Sequence, residues 1–578
     1  MRNELLAAPV DMATALFSPS RPFSRKVQKW IYMHSGNCQK VIIHFASPLK
    51  RTKLYKVLLQ TGPVHCFSTG SSKLQNNKLS FDKSDPICSQ SRSHTSHDHP
   101  ITLTKDHMND LEDQLQELFN EVKSLLVEGN KASAIDLLQA NFMAVKDQID
   151  AGLRGIEQAA TLDVIALGFM GVGDFKSVDS LLEMMQEIVS CLHNDDPLLD
   201  SVLMHMGSMY TTLGKLENAL LVYRRGLEIL ENIFGNTSPF LITPLMGMAK
   251  VFGLTGRATK AKEMYLRAIS ILETNRGVQC EDLVIPLFGL GNLFIEEDQA
   301  AEAESSFKRI LSIYEKLYGE NDGRVGTAMC SLAHALCAKG AVNEAISLYR
   351  KGLQIIKDSK FMAIDDVVLE KMRTDLAELL HVAGREQEGR KLLEECLLIS
   401  EMYKGNEHPS SVTHLLNLAS SYSRSKDYIE AERLLRTSLQ IMSKTTGPDD
   451  HSVTVPMLHL AVTLYDLHRD EEAESLAMEV VRIREKASGE QSLAVGEALD
   501  CLVSIQNRLG RDDDKLLTLL KRILGIQERM LGSESEETVT TLKKIVFLLD
   551  KMGRKDEKMP LQRRLSMLRT KYKQKVPI

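Results

Sequence analysis

Hydrophobic positions fall in pairs of helix-length runs, each pair separated by a short polar turn, from about residue 105 to the end of the chain. The clearest pair is Leu203 to Ile229, where two apolar runs of helical period flank Gly214-Lys215-Leu216-Glu217. Small and aromatic residues mark fixed places in it: Gly207, Tyr210, Gly214, Ala219, Tyr223 and Gly226. A shift of 42 residues returns the same types at Ala249, Phe252, Gly256, Ala261, Tyr265 and Ala268. A further shift gives Gly291, Phe294, Ala303 and Phe307, then Ala333, Leu336, Gly340, Ala345 and Tyr349. Gly389 follows after 44 residues, and Ala431 and Ala473 resume the spacing of 42, with Ala419 and Ala461 on their first helices. Self-similarity at a fixed period predicts an all-α repeat solenoid in which each unit buries its apolar face against the next.

The residue types follow from packing. Gly or Ala at 207, 249, 291, 333, 377, 419 and 461 lets the first helix (A) of a pair approach the second (B), and Ala at 219, 261, 303, 345, 431 and 473 serves the same end from the other side. Tyr210, Phe252, Tyr223, Tyr265, Phe307 and Tyr349 are expected to fill the wider gaps. Glycines such as Gly235, Gly319, Gly405 and Gly447 end B helices, and Pro or Asp opens the next A helix. Carrying the register outward from the firm stretch at about 195–490 gives about eleven hairpins between Ala134 and Glu557, with degenerate ends.

Charge divides the chain. Residues 1–81 hold twelve Lys/Arg against Glu4 and Asp11, a local +10 in a chain of net −6, which leaves −16 for the remainder. Such an acidic body disfavours phosphate backbones, so nucleic-acid binding is not expected of it. The Arg/Lys/Ser/Thr-rich start has the composition of an organelle transit peptide. Phe45–Gln60 is a basic amphipathic stretch, and His65-Cys66-Phe67-Ser68-Thr69 resembles a plant mitochondrial processing site. Residues 1–81 are therefore expected to be a transit peptide, mitochondrial ahead of plastid, with the cytoplasm as the alternative. Residues 82–104 are expected to be a polar linker and 105–578 the solenoid. At the other end, Lys551–Lys575 carries ten Lys/Arg against Asp556 and Glu557 with an apolar stripe at Leu561, Leu565, Leu568 and Tyr572. It reads as a capping helix, and alternatively as a basic handle for RNA or an anionic membrane surface.

The chemistry sought is sparse. No run reaches the roughly 18 apolar residues of a membrane span, which leaves only peripheral membrane contact. The nine cysteines form no CxxC pair, and His94, His97 and His99 lie in a Ser-rich tract without the fixed geometry a metal needs. Gly168 to Gly173 is glycine-rich but ends a helix with no strand before it, so it is no nucleotide loop. No cofactor, no metal and no catalytic residue is expected.

The units resemble the tetratricopeptide repeat (TPR), in the lengthened 42-residue form of kinesin light chains and nephrocystin-3, through strings such as His408-Pro409 to Leu418-Ala419, Tyr428 to Glu432 and Leu439-Gln440-Ile441. A plant organellar member is the closest description. The resemblance implies a right-handed superhelix whose A helices line a concave groove for a partner protein segment. On that geometry Met246, Lys250, Phe288, Asn292, His334, Glu378, His381, Ser420 and Tyr465 face the groove. The implied function is a non-catalytic scaffold or assembly factor in an organelle. The alternatives are a cytosolic kinesin-light-chain-like cargo adaptor, which would need a heptad coiled coil where this chain has the transit-like segment, and an organellar RNA-associated factor using the basic tail.

Overall fold

The computed structural model describes residues 105–575; the expected targeting segment and linker lie outside the described residues. The described chain divides after Glu320 into two compact units. In the first unit, α1 (Lys105–Val127), α2 (Lys131–Asp150), α3 (Ile156–Val172), α4 (Phe175–Cys191) and α5 (Leu199–Thr212) are followed by α6 (Leu216–Phe234), α7 (Ile242–Leu254), α8 (Ala258–Arg276), α9 (Val284–Glu296) and α10 (Ala300–Tyr318). The second unit holds α11 (Gly323–Ala338), α12 (Val342–Ser359), α13 (Val367–Val382), α14 (Glu386–Lys404), α15 (Ser410–Arg424) and α16 (Tyr428–Thr446). It continues with α17 (Thr454–Asp466), α18 (Asp470–Ser488), α19 (Leu493–Arg508), α20 (Asp513–Leu531), α21 (Glu536–Lys551) and α22 (Lys555–Lys575). Odd-numbered helices are the A members and even-numbered the B members of successive hairpins, an all-helical TPR solenoid.

Local chemistry starts and stops these helices. Asp174, Asp366, Asp427, Ser492 and Ser535 stand at N-caps and accept from backbone N–H groups of the first turn. B helices close on Gly235, Gly277, Gly319, Gly405, Gly447, Gly489 and Gly532, all at positive φ, which only glycine adopts without strain.

The seam of each hairpin is tight because a ring fills the place where a side chain is missing. A Cβ on Gly207 of α5 would lie 2.6 Å from the Tyr223 ring of α6, and one on Gly247 of α7 would lie 2.4 Å from the same ring. Tyr223 thus wedges between consecutive A helices, and Tyr265 against Gly289 repeats the arrangement one period later. Phe307 takes the place opposite Gly291. Tyr210 is 2% exposed and donates to the Leu182 carbonyl of α4. Ala219, Ala249, Ala261, Ala303, Ala333, Ala345, Ala419, Ala431, Ala461 and Ala473 are all buried on the seams.

Arginines tie B helices to the previous one in both units: Arg267 to Glu231 (2.6 Å) and Arg309 to Glu273 (2.5 Å), then Arg522 to Glu485 (2.7 Å) and Arg564 to Glu528 (2.5 Å). The two extra residues of the 44-residue step lie between α12 and α13, where Phe361 covers Gly323 and Arg373 donates to the Ile364 carbonyl. The last helix lays Leu561, Leu565 and Leu568 against Leu524, Val539 and Leu542. Two of its cations are paired, Arg564 with Glu528 and Lys558 with Asp550, and Arg554 just before it pairs with Asp514.

Candidate functional site

The side chains free to meet a partner are those of the A helices that neither the B helices nor the adjacent A helices cover. In the first unit α5, α7 and α9 lie side by side. One face of α7 and α9 is apolar and open: Ile285 is 69% exposed, Leu254 53% and Phe288 44%, with Met246 half-buried. Phe288 meets Phe307 edge-on at 5.7 Å between ring centroids, so its ring is held in place rather than free to fold back. Lys250 is exposed among these residues, with Asn292 half-buried one period on. Ile285 and Leu254 were absent from the groove expected from sequence. The register could have found them, because they stand six before Gly291 and five after Ala249.

In the second unit His334 and Glu378 are exposed and Ser420 is half-buried. The His334 pKa is pushed down, because surrounding protein costs the imidazolium hydration and Lys371 repels it, while Asp375 works in the opposite direction. Lost hydration and the like charge of Asp375 push the Glu378 carboxyl up, against the pull of Arg424 and Lys371. Asp375 is itself paired with Lys371 at 2.9 Å.

Two expected groove residues do not lie open. His381 is 8% exposed and turned into the α13–α14 seam, where its ring takes the space a Cβ on Gly389 would need. Burial, then Arg424 and Arg390, push its pKa down to about 4. Tyr465 is half-buried beneath the guanidinium of Arg508, 3.2 Å from the ring centre. Both stand four residues beyond the small A-helix residue, a place that is half-buried in the sister repeats at Thr211, Ile295 and Cys337.

A separate polar pair lies inside the first unit. Asp163 of α3 and His205 of α5 meet at 2.6 Å, with the Asp163 side chain 3% and the His205 side chain 16% exposed. Asp163 Oδ1 has no partner. Burial pushes the Asp163 pKa up against the pull of His205, while the Asp163 charge raises His205 in spite of its burial.

Among the described residues no group of three or more His, Cys, Asp or Glu could hold a metal ion, and no helix is long and apolar enough to cross a membrane. Burial pushes the Cys330, Cys337, Cys396 and Cys501 thiols up to about 12, so they are poor nucleophiles at neutral pH.

The family comparison agrees with this architecture. The tetratricopeptide repeat family model matches residues 198–274, 282–358, 369–444 and 411–486, and over that span the chain is a TPR protein. No curated relative matches it. Solved structures it is similar to include a kinesin light chain candidate from Podosopora anserina with nearly identical TPR-like repeats, at 22% identity and a TM-score of 0.33 over 36% of this chain and 98% of that one. A tetratricopeptide repeat protein from Parabacteroides merdae aligns at 19% identity and 0.34 over 53% and 98%. The apo quorum sensor NprR from B. thuringiensis aligns at 13% identity and 0.41 over 65% and 99%.

Proposed function

We propose that this chain is a non-catalytic scaffold or assembly factor that holds a segment of a partner protein on its open A-helix faces, inside an organelle. The observation that supports partner capture is the α7–α9 face, where Ile285, Phe288 and Leu254 expose apolar surface around the cation of Lys250. Solvent-exposed apolar residues that share one face mark interaction sites more often than scattered ones do. The organellar setting rests on the acid-poor, basic composition of residues 1–81. A mitochondrial address is placed ahead of a plastid one because of the resemblance at His65 to Thr69.

The test pairs two measurements. Mass spectrometry of the mature amino terminus from fractionated cells should find a start near Ser68 in an organelle; an uncleaved chain in cytosol rejects the organellar setting. Affinity capture with the wild-type chain and with Lys250→Glu, Phe288→Ala and Glu378→Lys variants should show partners lost from the variants while each still unfolds cooperatively on heating. Identical capture profiles would reject the assigned face.

A further inference from the structure

Two repeats of the second unit carry an arginine five residues beyond the small A-helix residue: Arg508 after Val503 and Arg424 after Ala419. Their surroundings correspond place by place. Behind Arg508 stand Tyr465 and Asp470, four and nine residues beyond Ala461; behind Arg424 stand His381 and Glu386, four and nine beyond Ala377. The first set is closed. Arg508 Nε donates to both Asp470 carboxylate oxygens at 2.9 Å, its guanidinium covers the Tyr465 ring, and it also donates to the Tyr465 carbonyl.

The second set has the same parts without the bonds. Arg424 is half-buried, its Nε finds no acceptor, and it makes no ion pair among the described residues. His381 is 8% exposed with neither ring nitrogen partnered. A buried guanidinium Nε and an imidazole left without partners are costly, and a carboxylate is what satisfies the equivalent arginine elsewhere in this unit. Arg390 adds positive charge from α14 while stacked on Tyr422 and donating to Ser425 Oγ at 2.6 Å. The other charges acting here are Glu378 of α13 and Glu386 of α14, whose negative fields disfavour a dianion such as a phosphate monoester over a single carboxylate.

The geometry points to Arg424 and His381 as a seat for the side-chain carboxylate of one acidic residue in a bound partner segment. The guanidinium supplies the charge-assisted bonds that Asp470 receives from Arg508, and a ring nitrogen of His381 donates the remaining one. At 389, where the neighbouring repeats have Ala345 and Ala431, a Cβ would lie 2.7 Å from the Ala377 carbonyl oxygen and 3.1 Å from His381 Cε1 and Nε2, so the glycine admits a close approach of α13 as well as the ring. The seat rests on the partner-capture reading only for the source of its carboxylate.

The test uses the full chain labelled with 13C in the histidine rings, with His381→Gln to assign the signal. The probes are N-acetyl-glutamate α-amide and N-acetyl-glutamine α-amide. The glutamate probe should shift the His381 signal, raise the pH at which it titrates, and lose about tenfold or more in affinity on Arg424→Gln, with part retained in Arg424→Lys. Equal response to the two probes, no response to either, or an Arg424→Gln protein that still binds glutamate as well would overturn the seat. Glu386→Gln covers the case in which Glu386 closes on Arg424 as Asp470 does on Arg508. Binding by that variant and not by the wild type assigns Arg424 to an internal ion pair and rejects the proposal. If Arg424→Gln does not fold, the contrast between the two probes on the wild type decides alone. No partner is needed, so failure here leaves the capture experiment standing, and failure of capture leaves the seat.

Discussion

His468, Asp298 and Lys426 hold left-handed backbone conformations, with φ of 59°, 58° and 62°, at the turn between the A and B helices. The matching place in other repeats is glycine: Gly214, Gly256, Gly340, Gly384 and Gly510. A residue with a Cβ costs about 1–2 kcal/mol there, partly offset by the freedom glycine has in the unfolded chain. Asp298→Gly and His468→Gly should therefore each stabilise their hairpin by about 0.5–1 kcal/mol, read as a higher midpoint in urea unfolding. At the same scale the Asp163–His205 pair makes the first unit sensitive to pH. Both groups have pKa values raised by folding, so the folded state holds protons more tightly and stability falls as pH rises. For His205 the contribution is complete below its ordinary value of about 6.5 and is lost as pH passes its higher folded value. Thermal unfolding followed between pH 5.5 and 8.5 should show the first unit weakening toward the alkaline end. The double variant Asp163→Asn/His205→Gln should flatten that dependence; an unaltered slope would assign it to other groups.

At the scale of helices, α11 and α12 approach closely enough for backbone to meet backbone. A Cβ on Gly352 would lie 2.6 Å from the Gly326 carbonyl oxygen, and backbone cannot step aside as a side-chain tip can. Gly352→Ala should cost about 1–3 kcal/mol by overpacking. Gly525, inside α20, meets nothing within 4 Å, so Gly525→Ala should stabilise by about 0.5–1 kcal/mol through helix propensity alone. Chemical unfolding of the two variants side by side checks the opposite signs. These seams were legible in the sequence because a packing rule repeated every 42 residues leaves a pattern, and the hairpins and their turns could be placed from it. The open face was less legible. Phe288 shares a register with side chains that are buried in sister repeats, Met204 and Cys330, so register fixes a place but not its exposure. His381 reads as a groove residue by register; Gly389, where the neighbouring repeats have alanine, marks a close approach to the Ala377 carbonyl as well as to the His381 ring and does not by itself give the inward turn.

For a whole array built from neighbour contacts, stability is a sum over repeats and their interfaces rather than a property of one core. The carboxy-terminal end of the second unit shows what closes such an array. The last A helix, α21, would present Val539 and Leu542 to water if α22 did not lay Leu565 and Leu568 over them. Arg554 with Asp514, Lys521 with Glu557 and Arg564 with Glu528 reach back beyond α21 to α20, so the terminal helix clamps two helices at once. Exposed ion pairs contribute little singly, about 0–1 kcal/mol each, so the apolar stripe carries most of the clamp. The paired cations Arg554, Lys558 and Arg564 suit a capping role for this helix. Removal of residues 552–578 should therefore lower hydrogen-exchange protection in α20 and α21 and leave α11 to α16 as they were, with the loss decaying repeat by repeat through α19 and α18. Leu565→Asp should reproduce most of the effect, whereas Arg563→Ala, on the exposed side of α22, should not. A uniform loss of protection through the second unit would mean that it unfolds as a single cooperative block. In that event the cap would be essential to the folding of every repeat in the unit rather than to the last two helices alone.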